Sequence, residues 1–102
     1  MTQVVAATLD ELAIGTARRV DIAGESLCLV RTESGVHAVD DVCPHADVSL
    51  SDGEVDGTTI ECWLHGSRFD LVTGAPSGPP ATTPVTVYPV SVADGRVLVD
   101  LP

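Results

Sequence analysis

Residues 43–45, Cys43-Pro44-His45, and residues 62–67, Cys62-Trp63-Leu64-His65-Gly66-Ser67, each set one thiol and one imidazole in a short loop. Written as a spacing this is C-x-H-x16-C-x2-H. Thiolate and neutral imidazole are ligands for soft and borderline transition metals, and two such loops can close on one inorganic centre from two sides. Two of the three cysteines and two of the three histidines fall between Cys43 and Pro84. The same span is dense in Gly, Pro, Ser, Thr and Asp, and Gly74-Ala75-Pro76-Ser77-Gly78-Pro79-Pro80 excludes regular helix or a central strand. A loop-rich stretch of this length inside a compact domain is disordered or functional, and the ligand residues favour function.

Two centres compete for these residues. A structural zinc site is four-coordinate, but it is usually built from C-x2-4-C or H-x3-5-H pairs, like with like. Here each half is mixed. The other candidate is a 2Fe–2S cluster in which two histidines replace two cysteines on one iron. Mixed halves suit it, with each loop giving its Cys to one iron and its His to the other.

On either side of this span, short valine-rich segments alternate with turn signals. Val4 to Thr8 reads as a strand, and Leu9-Asp10-Glu11-Leu12 as a polar turn or one helical turn. Arg18 to Ile22 and Ser26 to Thr32 flank the hairpin signal Ala23-Gly24-Glu25, and Glu33-Ser34-Gly35 turns into Val36 to Val42. Val85 to Val92 and Arg96 to Leu101 flank Ala93-Asp94-Gly95, a second hairpin. Val90 and Val92 around Ser91 have the alternation of a half-buried strand. The sixteen valines favour strands over helices, and no segment carries a helical period.

At 102 residues the chain is expected to form one domain, residues 1–102. No G-x-G-x-x-G or P-loop motif is present, so no nucleotide site is signalled. Fifteen acids against five arginines give a net charge of -10. Nucleic acid and anionic membranes are excluded as partners by that sign. A protein with a basic docking patch is the natural partner class. No apolar run reaches the length of a membrane span, and the first residues lack a basic, then apolar, leader. A cytoplasmic protein is therefore expected. A monomer is also expected, although no residue pattern bears on assembly.

The sequence resembles the Rieske family. Cys43-Pro44-His45 and Cys62-Trp63-Leu64-His65-Gly66-Ser67 match its two boxes in residue type, order and spacing, and the resemblance continues through Phe69-Asp70, Thr73-Gly74, Gly78-Pro79-Pro80 and Pro84 to Val90. It implies an all-β fold: a small antiparallel β sandwich or barrel base, residues 1–41 and 85–102, with an inserted loop-rich cluster-binding subdomain, residues 42–84. It implies a Rieske-type 2Fe–2S cluster, with Cys43 and Cys62 on one iron and His45 and His65 on the other. Gly66, Ser67 and neighbouring amides would donate hydrogen bonds to cluster sulfurs, and Pro79-Pro80 would cover the cluster.

Two ferric irons, two sulfides and two thiolates leave the oxidised centre formally neutral. Adding an electron is therefore easier than in an all-thiolate cluster, and Rieske potentials run from about −150 to +300 mV against about −400 mV for plant-type ferredoxins. The respiratory-chain members carry an extra cysteine in each loop and a Tyr hydroxyl near a thiolate. Here Ala46-Asp47-Val48 and Trp63-Leu64 leave no such disulfide, and Phe69 stands in the tyrosine's place. Ser67 keeps its donor. With Asp47, Asp52 and Glu54 nearby, a potential of about −150 to 0 mV is expected.

A cluster held at all four positions by protein moves one electron and offers no open site. Once His45 and His65 are used, only His37 remains, too few for a 2-His-1-carboxylate iron. The resemblance thus implies a ferredoxin rather than an enzyme. It would carry electrons from a flavin-containing reductase to a terminal non-haem iron oxygenase, through the His45/His65 edge. The alternatives are an electron donor linked to iron–sulfur assembly, a nitrite reductase small subunit and a non-redox module stabilised by zinc. Among other residues, Cys28 reads as a buried core thiol, His37 as a solvated strand residue, Trp63 as a shield for the site and Arg68 as a partner for an acid.

Overall fold

The computed structural model describes residues 2–44, 48–64, 66–77 and 83–101. Strand β1 (Thr2–Thr8) runs into one 3-10 turn, Leu9–Glu11. A meander of β2 (Thr16–Ile22), β3 (Glu25–Thr32) and β4 (Gly35–Asp40) follows. After a second 3-10 turn, Leu50–Asp52, come β5 (Val55–Asp56), β6 (Thr59–Glu61) and β7 (Arg68–Asp70). The last strands are β8 (Val87–Tyr88), β9 (Val90–Ala93) and β10 (Arg96–Leu101). They form three antiparallel sheets, ordered β1-β10-β9, β2-β3-β4-β8 and β5-β6-β7.

Both sequence-expected hairpins have two-residue turns. Ala23 and Gly24 have φ of 52° and 82°, and Asp94 and Gly95 have 53° and 74°. Left-handed backbone at both central positions marks a turn whose twist matches that of the flanking strands. At the first 3-10 turn, Glu11 accepts from the Thr8 amide at 3.2 Å and from its hydroxyl at 2.8 Å. Arg31 donates to the carbonyls of Leu9 and Leu12, which ties that turn to β3.

Strand β3 positions everything else. Successive side chains on a strand point to opposite faces. Leu27 and Leu29 enter a core with Ala7, Leu12, Val97 and Val99, whereas Cys28 and Val30 enter a second core with Leu50, Ile60, Phe69 and Leu71. In β4 the same split sends Ala38 one way and Val39 the other. The central sheet is thus covered by the β1-β10-β9 sheet on one face and by the β5-β6-β7 unit on the other. This explains why Leu27-Cys28-Leu29-Val30 is continuously apolar.

Two features differ from the sequence reading. The strand expected over 85–92 is broken at Pro89. A proline has no amide to donate to a ladder, so the chain changes sheets there: β8 pairs with β4 and β9 with β10, while the Pro89 carbonyl accepts from Asp100 at 2.9 Å. Val92, expected to be half-buried, is 45% exposed on this edge strand. The span from Cys43 to Pro84 also holds a third small sheet. Its strands have two or three residues, too short for periodicity to register.

Candidate metal centre

The first cysteine loop leaves the end of β4. An antiparallel bridge pairs Val42 with Ser49, and the Cys43 amide donates to the Val48 carbonyl at 3.0 Å. Below the bridge, the Leu50 amide donates to the Asp41 carbonyl at 2.6 Å and the Ser51 amide to Asp41 Oδ1 at 2.9 Å. Asp41 itself is tied to β3 through its amide and the Ser26 carbonyl, 2.9 Å.

The second loop is the tip of the β6–β7 hairpin. Glu61 pairs with Arg68 in the ladder, and the Cys62 amide donates to the Ser67 carbonyl at 2.7 Å. The Gly66 amide donates to the Cys62 carbonyl at 2.8 Å, with Gly66 at φ 78°, a left-handed conformation that glycine adopts without strain. Arg68 closes the neck from outside through Glu61, at 2.9 Å, with Asp56 at 3.9 Å.

The two loops therefore share one construction. Each begins with its cysteine and is closed by a bond from that cysteine's amide to the carbonyl five residues on. Both side chains are buried in one core, lined by Cys28, Val39, Leu50, Ile60, Phe69, Leu71 and Val85. After β7 the chain doubles back: the Asp70 amide donates to Ala75, Phe69 bridges to Pro76, and the Ser77 amide donates to Arg68. Ser77 is thereby brought beside the second loop. His45, His65 and the Gly78-Pro79-Pro80 segment lie outside the described residues, as does Asp47. Among the described residues no three His, Cys, Asp or Glu side chains form a metal set. What the fold does show fits the cluster: two buried thiols, presented by matching loops and sunk in an apolar shell, suit a centre of low net charge.

The remaining candidates divide clearly. Ser67 is 2% exposed, a buried hydroxyl beside the second cysteine loop. Cys28 is fully buried, as expected, but in the same core as Cys43 and Cys62. Burial pushes its thiol pKa well up, and the negative charge of Asp41 adds to that. Trp63 is 51% exposed and Leu64 43%, so both are surface residues at the tip of the second loop. His37 is half-buried rather than simply solvated. Its Nε2 lies 3.2 Å from Thr32 Oγ1, and burial lowers its pKa against a smaller upward pull from Asp70. Asp41 carried no signal in the sequence, being one acid among fifteen. Among the described residues it is the one buried carboxylate.

Comparison with known proteins gives these features a family. Residues 2–89 match the model of the Rieske [2Fe-2S] domain. The ferredoxin component of the naphthalene 1,2-dioxygenase system of Pseudomonas putida is 36% identical over 94% of this chain and 92% of its own length. Among solved structures, Sphingomonas yanoikuyae B1 ferredoxin superposes with a TM-score of 0.93, at 32% identity over 99% of this chain and 100% of its own. The ferredoxin in a complex of reduced oxygenase and oxidised ferredoxin of carbazole 1,9a-dioxygenase gives 0.89, at 36% identity over 95% and 100%. The cofactor is accordingly a Rieske-type 2Fe–2S cluster and not zinc, and the role is electron carriage and not catalysis. The chain belongs to the Rieske [2Fe-2S] domain family.

Proposed function

We propose that this chain is the ferredoxin component of a non-haem iron oxygenase system, taking electrons from a flavin-containing reductase and delivering them to a terminal oxygenase. When bound, the cluster supplies a one-electron couple. Cys43 and Cys62 would hold one iron, and His45 and His65 the other. Gly66 and Ser67 would donate hydrogen bonds toward the cluster's sulfurs, and Pro79-Pro80 would be the segment that covers it. The observation that carries the reading is the convergence of two identically closed cysteine loops in one core.

In this reading residues 42–84 are the cluster-binding insertion and the rest of residues 1–102 is the base that carries it. Trp63 and Leu64, exposed at a loop tip, give a partner an apolar contact, and the net charge of -10 steers a partner bearing a basic patch. Redox encounters of this kind bury little surface, in keeping with fast release. The protein acts as a cytoplasmic monomer; no helix among the described residues is long and apolar enough to cross a membrane. Relatives named as dioxygenase ferredoxin components, and a ferredoxin solved with its oxygenase, support the choice of acceptor.

The test is reconstitution. Purified protein should contain iron and labile sulfide in equal amounts and show a paramagnetic signal when reduced. It should couple a flavin reductase to substrate turnover by a Rieske oxygenase. Cluster-loaded protein that is reduced by no such reductase and supports no oxygenase would overturn the assignment of partners.

A further inference from the structure

We infer that the Asp41 carboxylate positions the first cysteine loop and also holds the centre's reduction potential down, with Arg19 on β2 moderating the second effect. This rests on Cys43 being an iron ligand. Asp41 is 1% exposed and lies two residues before Cys43. Its two oxygens have different environments. Oδ1 accepts from the Ser51 amide at 2.9 Å, so it clamps the far stem of the loop. Oδ2 is buried with no hydrogen bond, and its charged neighbour is Arg19 Nε at 3.8 Å. That guanidinium is already engaged by Asp21 Oδ1 and Ser26 Oγ, each at 3.2 Å.

An asparagine would serve the clamp equally well, because the clamp needs only one acceptor oxygen. The carboxylate adds a negative charge in a buried place and leaves one oxygen unsatisfied, which costs free energy. In the shared core the Cys28 thiol is pushed up by burial first and by the negative charge of Asp41 second. Acting on a centre that gains an electron, the same charge opposes the gain and moves the potential downward. Arg19 lies on the solvent side, half-exposed, and offsets part of its field.

The test compares the cluster-loaded wild type with Asp41→Asn, Asp41→Ala and Arg19→Gln. Midpoints come from redox titrations, and loop order from hydrogen exchange of peptides covering residues 48–53. Asp41→Asn should keep its iron and its exchange pattern while the midpoint rises. Asp41→Ala should speed exchange across that peptide. An Asp41→Asn protein with intact cluster and an unmoved midpoint overturns the electrostatic role. Unchanged exchange in Asp41→Ala overturns the positioning role. Should Asp41→Asn fail to load, Arg19→Gln decides: a lowered midpoint supports the inference, and an unchanged one overturns it. Failure of the underlying reading would look different, as wild type without iron and sulfide or a Cys43→Ser protein with an undisturbed cluster.

Discussion

Arg68 Nη2 meets Glu61 Oε2 at 2.9 Å, and the two residues are also ladder partners at the neck of the second cysteine loop. One pair thus closes the hairpin twice, by backbone pairing and by charge. Both side chains remain about one-third exposed, so solvent screens much of the attraction. Replacing Arg68 by Ala should lower stability by about 0.5–1 kcal/mol in urea titrations while leaving the visible spectrum intact. Loss of the cluster in that variant would mean that the ion pair, rather than the backbone closure, maintains the loop.

Gly74 ties the turn after β7 to the segment that leads into β8. Its amide donates to Asp70 and its carbonyl accepts from Val85, at φ 80°. A Cβ there would collide with the Val85 carbonyl, a backbone group with little freedom to move. Gly74→Ala should therefore cost about 2–4 kcal/mol, combining left-handed strain with overpacking. A melting temperature equal to wild type would contradict the close approach.

Cys28 is raised above its ordinary thiol pKa of 9.0 by burial first and by Asp41 second. In the unfolded chain it would lose its proton near that ordinary value, whereas the folded protein keeps it protonated. The folded state is thus favoured fully below pH 9 and loses this advantage as pH rises above it. Cys28→Ala, which lacks the proton, should show a shallower loss of stability between neutral and high pH. Its visible spectrum should match wild type, as should that of Cys28→Ser. A bleached protein from either substitution would make Cys28 part of the centre.

Ser67 is buried next to the second loop, where a hydroxyl donor stabilises added negative charge. Ser67→Ala should lower the midpoint modestly. His45→Cys should lower it further or abolish assembly, because it replaces a neutral ligand by an anion. The wild-type midpoint should fall between about −150 and 0 mV. A redox titration giving more than about +150 mV, or variants with intact clusters and unmoved midpoints, would contradict the electrostatic account of these ligands.

Much of the fold was legible because its signals are local. Ala23-Gly24-Glu25 and Ala93-Asp94-Gly95 mark the hairpins through Gly24 and Asp94-Gly95, which accept positive φ, and the strands beside them follow; that Ala23 also sits at φ 52° is known only from the fold. The β5-β6-β7 sheet was not legible: two- and three-residue strands carry no period, and their pairing depends on contacts distant in sequence. The sheet change at Pro89 falls between. Proline marks an interruption, but only the partners β4 and β10 determine where each half goes.

The cysteine and histidine spacing, read as sequence, pointed to a metal centre, since ligand type and loop length are properties of short stretches of chain, and the family resemblance of the same two boxes implied which centre it is. Tertiary structure alone decided which other groups share that chemistry's environment. Cys28 and Asp41 are ordinary residues in one dimension. They acquire meaning because β3 is buried on both faces and because the loop stem folds onto it. Burial removes the water that would otherwise screen them, and burial is set by the packing of sheets far apart in the chain.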